Sequence, residues 1–270
     1  MRLLRWAAFS AVLLAGAFVG WLALDKEPPM ADPPPVQVSR AELREVAGTK
    51  IYFGHQSVGD NILAGVRDLY AGAGLPDPMV TEATGAGYVL EAHVGVNEDP
   101  QSKLRAFDQA LRSGLGEQVE VAMLKFCYVD ILPGTDVEAL FADYRDTIAA
   151  LERDFPGVRF IKTTVPVMTE QTTKQRIKAF IKRSNRYGAD ENVLRERYNA
   201  LIRAEYDEGE LLDIAALEST TPDGDRVTGT EDGSTYFALY PGYAADNGHL
   251  NATGAQIVAD AWQRLVAAGR

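Results

Sequence analysis

The sequence predicts a three-layer α/β/α sandwich on a mainly parallel sheet, and three observations predict it. From about residue 40 onward, short apolar runs alternate with helical periods, the pattern of βαβ units whose crossover helices cover both faces of a parallel sheet. The runs at 119–124 and 158–162 read as buried strands, each preceded by a helix-like stretch that ends in a turn, at Gly116 and at Pro156-Gly157. With 270 residues, 46% of them apolar and 24% charged, the chain is close to the globular average and long enough to bury one sizeable core plus an appendage.

The elements follow in order. Residues 50–53 form a first strand and 60–70 a helix with Ile62, Leu63, Val66 and Leu69 on one face. A further strand falls between about 79 and 94. After the strand at 119–124 come the clearest helix, 136–155, and the strand at 158–162. A helix over 192–208, a short strand at 211–214 and a closing helix over 252–267, with Ile257, Val258, Ala261 and Leu265 inward, complete the body. There is no internal repeat.

The net charge of −11, from 38 acidic and 27 basic residues, argues against nucleic acid as a partner, because neutralising phosphates needs clustered Lys and Arg. One cysteine excludes an intrachain disulfide framework, and with three histidines it leaves little material for a structural zinc site. His55, His93, Asp246 and His249 have no His-x-His or His-x-x-x-His spacing, so no metal and no other cofactor is expected.

Three segments are expected. Residues 1–27 are a signal anchor or signal peptide: Arg2 and Arg5 precede an apolar run at 6–24 broken only by Ser10, long enough to span a bilayer. Positive flanks stay cytoplasmic, which puts the rest on the periplasmic side of a bacterial-type inner membrane. The small-residue site Ala15-Gly16-Ala17 falls early for cleavage, which favours an uncleaved anchor; cleavage would leave a secreted body. Residues 28–38, with Pro28, Pro29, Pro33, Pro34 and Pro35, read as a stiff spacer. Residues 39–270 are the folded domain.

In such sheets ligands collect at the carboxyl ends of the strands, and two loops there carry chemistry. Gly54-His55-Gln56-Ser57-Val58-Gly59 places a hydroxyl at a strand-to-helix turn, where the helix's positive end favours an alkoxide and an anionic intermediate. Ser57 also fits an ordinary N-cap. Asp246-Asn247-Gly248-His249 precedes the last helix; a carboxylate three residues from an imidazole can hold one ring nitrogen and leave the other to take a proton. The same residues fit a surface turn.

A serine after the first strand in a Gly-x-x-Ser block, with Asp-x-x-His shortly before the final helix, resembles the SGNH/GDSL hydrolases over most of residues 48–265. The strand ending in Thr-Val-Pro-Val, 158–168, resembles that family's fourth-strand segment. The resemblance implies a flavodoxin-like α/β/α fold and a triad of Ser57 as nucleophile, His249 as general base and Asp246 as its orienting residue. Two departures stand out: the first block is Gly-His-Gln-Ser rather than Gly-Asp-Ser, and Phe126-Cys127-Tyr128-Val129-Asp130 stands where Gly-x-Asn-Asp is expected, without the oxyanion-donating Asn. Gly95 and Asn97 are the expected replacements, through a backbone N–H and a side-chain amide from another loop. His55 is expected to hold the Ser57 loop or donate to substrate, and Lys125 and Tyr128 to lie near the pocket. Cys127 reads as a small buried hydrophobe.

Six basic residues within 174–186, around Ile177, Phe180 and Ile181, read either as a solvated helix face or as a landing patch for anionic glycan or lipid head groups. The acidic loop at 223–225 and 231–233 lacks EF-hand spacing. These readings converge on an exported, membrane-tethered serine esterase acting on a short-chain ester, preferably acetyl on a carbohydrate, through an acyl-enzyme at Ser57. An O-acetyltransferase using the same triad and a non-catalytic, anchored carbohydrate-binding or assembly protein are the alternatives.

Overall fold

Six strands make one sheet whose neighbours all pair in parallel: β1 (Lys50–His55), β2 (Met79–Val80), β3 (Tyr88–His93), β4 (Val121–Leu124), β5 (Arg159–Thr163) and β6 (Leu211–Leu212), in the order β2-β3-β1-β4-β5-β6. These belong to a computed structural model that describes residues 29–170 and 189–269. The apolar run at 6–24 and the basic cluster at 174–186 lie outside the described residues. Among those described, no helix is long and apolar enough to cross a membrane.

Alternation along the strands sorts the core into two layers. Ile51 and Phe53 of β1 face one cluster with α1 (Arg40–Ala47), α2 (Val58–Gly72) and α7 (Ala252–Ala268). Tyr52, between them, faces the other, with α3 (Pro100–Arg112), α4 (Val137–Asp154) and α5 (Ala189–Glu205). Helices thus cover both faces of the sheet, as the sequence predicts. On the first side α2 and α7 approach so closely that a Cβ at Gly65 would lie 2.5 Å from the Ala255 carbonyl oxygen.

Three local differences have clear causes. The expected strand at 211–214 stops at Leu212, because Asp213 caps the short helix α6 (Ile214–Ser219), its side chain accepting from the Ala216 N–H at 3.0 Å. The strand expected within 79–94 is two strands, β2 and β3, separated by a turn-rich stretch. The acidic loop near 231–233 is the turn of an antiparallel hairpin, β7 (Thr228–Glu231) and β8 (Ser234–Phe237). Asp232 and Gly233 have φ of 48° and 79°, the left-handed pair that a two-residue hairpin turn requires.

The proline segment runs along the body. The N–H groups of Gln37 and Val38 both donate to Asp260 Oδ1 at 2.8 Å, Gln256 Nε2 reaches the Pro34 carbonyl at 3.3 Å, and Ala31 exchanges bonds with Gly242 and Thr253. Prolines give up backbone donors but keep their carbonyls, so this strap pairs with side chains of α7. The packed body therefore extends to Ala31, ahead of the boundary at Ser39 that composition suggests; Ser39 itself caps α1 through a reciprocal pair of bonds with Glu42.

Parallel strands put all carboxyl ends on one edge. Leaving aside β2, the order is second, first, third, fourth, fifth strand, and the switch point lies between β1 and β4, where the chain leaves the two strands in opposite directions and opens a crevice.

Candidate active site

Ser57 sits at that switch point as the N-cap residue of α2, yet its side chain makes no capping bond. Its Oγ instead lies 3.5 Å from Cys127 Sγ, in the loop after β4. The hydroxyl is thus not spent on the helix, which separates it from an ordinary cap, and the 15-residue helix directs its positive end toward it.

The Asp-x-x-His turn is closed by its own carboxylate. Asp246 Oδ1 accepts from the N–H groups of Gly248 and His249, and Oδ2 from His249 Nδ1, each at 2.8 Å. Partial burial pushes the Asp246 carboxyl up, but these three bonds outweigh it and hold the group below its ordinary value. A carboxylate on Nδ1 selects the tautomer whose Nε2 carries the lone pair.

Two contacts tie this turn to the serine helix and to the β4 loop. The Leu250 N–H donates to Asn61 Oδ1 on α2 at 3.2 Å. Tyr128 meets the His249 ring edge-on, centroids 5.6 Å apart, and a Cβ at Gly248 would lie 2.6 Å from the Tyr128 ring, so only glycine fits. Cys127 therefore touches the serine while its neighbour Tyr128 touches the histidine. Ser57 and His249 are not hydrogen-bonded to each other; the β4 loop joins them.

That loop rests on buried charge. Asp130 Oδ2 accepts from Lys103 Nζ and from the Cys127 N–H at 2.6 Å each, and Oδ1 from the Glu98 N–H at 3.1 Å. The Lys103 and Asp130 side chains are both wholly buried. Lys103 Nζ also donates to Asn97 Oδ1 at 2.9 Å, which orients that exposed amide with its hydrogens free. Buried Arg195 donates from Nε to the Tyr128 carbonyl at 2.8 Å. Sequence reasoning assigned no role to Lys103, Asp130, Asn61 or Arg195; the one signal was Asp130 itself, an acid ending the block aligned with Gly-x-Asn-Asp.

The other expected residues are placed as follows. Gly95, at φ +58°, is pressed against α3, where a Cβ would lie 2.6 Å from the Lys103 nitrogen. Its carbonyl accepts from Gln56 Nε2 at 3.1 Å, which ties the loop after β3 to the Ser57 loop. His55 is wholly buried under the first turn of α2, its Nε2 3.0 Å from Glu91 Oε2. Burial, assisted by the Lys125 charge, pushes His55 down to about 3, so the ring is neutral. Shut away from solvent, it supports the Ser57 loop from beneath and is not positioned to touch substrate. Lys125 is equally buried, with Nζ 3.4 Å from Cys127 Sγ and 3.2 Å from the Phe126 carbonyl.

Behind the site, Glu218 accepts from the Val167 N–H through Oε1, while Oε2 is buried without a partner. Burial raises its carboxyl from 4.5 to about 8. A folded-state value above the unfolded one gives stability that is complete below about pH 4.5 and is lost as pH rises toward 8. Glu218→Gln is therefore expected to flatten this slope: melting temperatures measured at pH 5 and pH 8 should fall less for the variant than for the parent.

No protein-family model matches the chain, and no curated protein matches it in sequence. Solved structures do match. One described as a candidate platelet activating factor from Streptococcus pneumonia is 14% identical, covering 83% of this chain and 89% of its own, at a TM-score of 0.45. A candidate lipolytic protein of the G-D-S-L family from Desulfitobacterium hafniense is 11% identical, covering 80% and 99%, at 0.41. The periplasmic domain of a lipopolysaccharide acetyltransferase from Salmonella ser. Paratyphi A is 14% identical, covering 82% and 86%, at 0.42. Likeness this distant carries no conclusion about activity, and the chemistry rests on the geometry above.

Proposed function

We propose that the chain is a serine ester hydrolase. Ser57 Oγ attacks the ester carbonyl as His249 Nε2 takes its proton, and Asp246 holds the resulting imidazolium. The tetrahedral intermediate collapses to an acyl-enzyme when His249 returns that proton to the departing alcohol. Water, deprotonated by the same nitrogen, then releases the acid and restores Ser57. The oxyanion is held by the Ser57 N–H, the Gly95 N–H and the Asn97 amide, with Gln56 and Lys103 as the positioning residues of that wall.

The observation that carries this reading is the β4 loop, whose adjacent residues Cys127 and Tyr128 contact Ser57 and His249 respectively. The Ser57 hydroxyl is held only by a weak thiol partner, and catalytic bonds commonly tighten only with substrate bound. The resemblance in the Gly-x-x-Ser and Asp-x-x-His blocks agrees with it. We infer a short acyl group, acetyl foremost, on a carbohydrate outside the inner membrane, since the apolar segment at 6–24 suits an export anchor. Transfer to a sugar hydroxyl would use the same residues.

A fluorophosphonate probe tests the reading. Covalent capture at Ser57, abolished in His249→Ala, is the expected result; a folded chain that resists the probe would make this a non-catalytic carbohydrate-binding or assembly protein.

A further inference from the structure

A second cluster of chemical groups lies where β1 and β3 end against the first turn of α2, and the proposed triad does not use it. Parallel pairing of β1 with β3 sets His55 opposite His93, and the rings meet edge-on with centroids 5.0 Å apart. Asp60, in the first turn of α2, lies beside both: Oδ1 is 2.9 Å from His93 Nε2 and 4.0 Å from His55 Nδ1. One ligand atom from each of the three falls within 4.8 Å of the others. Spacing in the sequence conceals this, because strand register and a helix turn bring the donors together.

The decisive atom is His55 Nδ1. It is buried and makes no hydrogen bond, an expensive state for a ring nitrogen. Its other nitrogen is committed: Glu91 Oε2 at 3.0 Å takes the Nε2 proton and so leaves the lone pair on Nδ1. A carboxylate on one ring nitrogen and an unfilled lone pair on the other is how metal-bound histidines are held.

We propose that His55 Nδ1, His93 Nε2 and an Asp60 oxygen bind a divalent first-row cation, with Zn2+ the best match to two imidazoles and one carboxylate, and that Glu91 is the positioning residue that orients His55. A tetrahedral shell with bonds of about 2.0–2.1 Å separates its donors by roughly 3.3 Å. Only His93 and Asp60 move to reach it, and their side chains are 54% and 50% exposed. Asp60 and Glu91 offset the added charge. The fourth position stays open to water, and the ion pins the β1 and β3 edge to the helix whose first residues follow Ser57. The site does not rest on the ester-hydrolase reading.

The test is zinc titration of the full chain, purified in detergent without a histidine tag and stripped with EDTA. One Zn2+ per chain by elemental analysis and calorimetry, with a rise in melting temperature, is the expected result. His55 is a core residue whose loss can disturb folding, so the exposed pair is changed instead: Asp60→Asn with His93→Gln should keep the zinc-free melting temperature and weaken zinc by at least about 100-fold, and Glu91→Gln by roughly 10-fold. Uptake below about 0.1 ion per chain, or equal zinc affinity in the double variant, would overturn the proposal. Probe labelling at Ser57 is read separately, so either conclusion can fail without the other.

Discussion

Ser57→Ala is expected to lower kcat/KM on a short-chain ester by roughly 10^4–10^6-fold, the loss that follows when the nucleophile of a serine hydrolase is removed. Because the Ser57 side chain makes no capping bond to α2, the substitution should leave the melting temperature nearly unchanged, so the kinetic loss is not a folding loss. The thiol 3.5 Å away supplies the control. A cysteine nucleophile would make Cys127→Ala equally damaging; with Ser57 as nucleophile, Cys127→Ala should retain activity within about tenfold, because it removes a packing contact and no reacting atom. Near-parental turnover in Ser57→Ala would end the esterase reading.

The largest expected stability effect falls on Asp130→Ala, at about 3–5 kcal/mol in chemical denaturation, the cost of leaving one member of a buried ion pair uncompensated. Asp130 receives Lys103 Nζ and the N–H groups of Cys127 and Glu98, so its loss strands a buried cation and two backbone donors together. Lys103→Met should cost less: it removes the charge that needs a partner, keeps most of the volume, and leaves Asp130 with its two backbone donors. Less than about 1 kcal/mol for Asp130→Ala would show that the pair does not anchor this loop.

The parts of the molecule legible in the sequence are those written as local periodicity. The β1–α2 unit and α7 carry apolar residues at strand and helix spacing, and the structure forms them within a few residues of the expected limits. The two candidate loops stand out in the sequence because Ser57 and the Asp246–His249 pair sit at strand and helix boundaries, where the rule for parallel sheets directs attention. What stayed hidden depends on register. Lys103 and Asp130 are 27 residues apart, and the facing of His55 by His93 follows from how β3 pairs with β1; neither leaves a short-range pattern. Asp232-Gly233 did carry a signal, a hairpin turn, which the surrounding acids masked. The strap at 31–38 could not be read, since its backbone is paired by side chains of α7 rather than by a strand of its own.

That strap has a mechanical consequence. Tension applied to the chain ahead of Ala31 meets the body at Gly242 and at Thr253, in the first turn of α7 and four positions beyond His249. A pull there is delivered to the 242–253 stretch, which contains the Asp246–His249 turn, before it reaches any strand of the sheet.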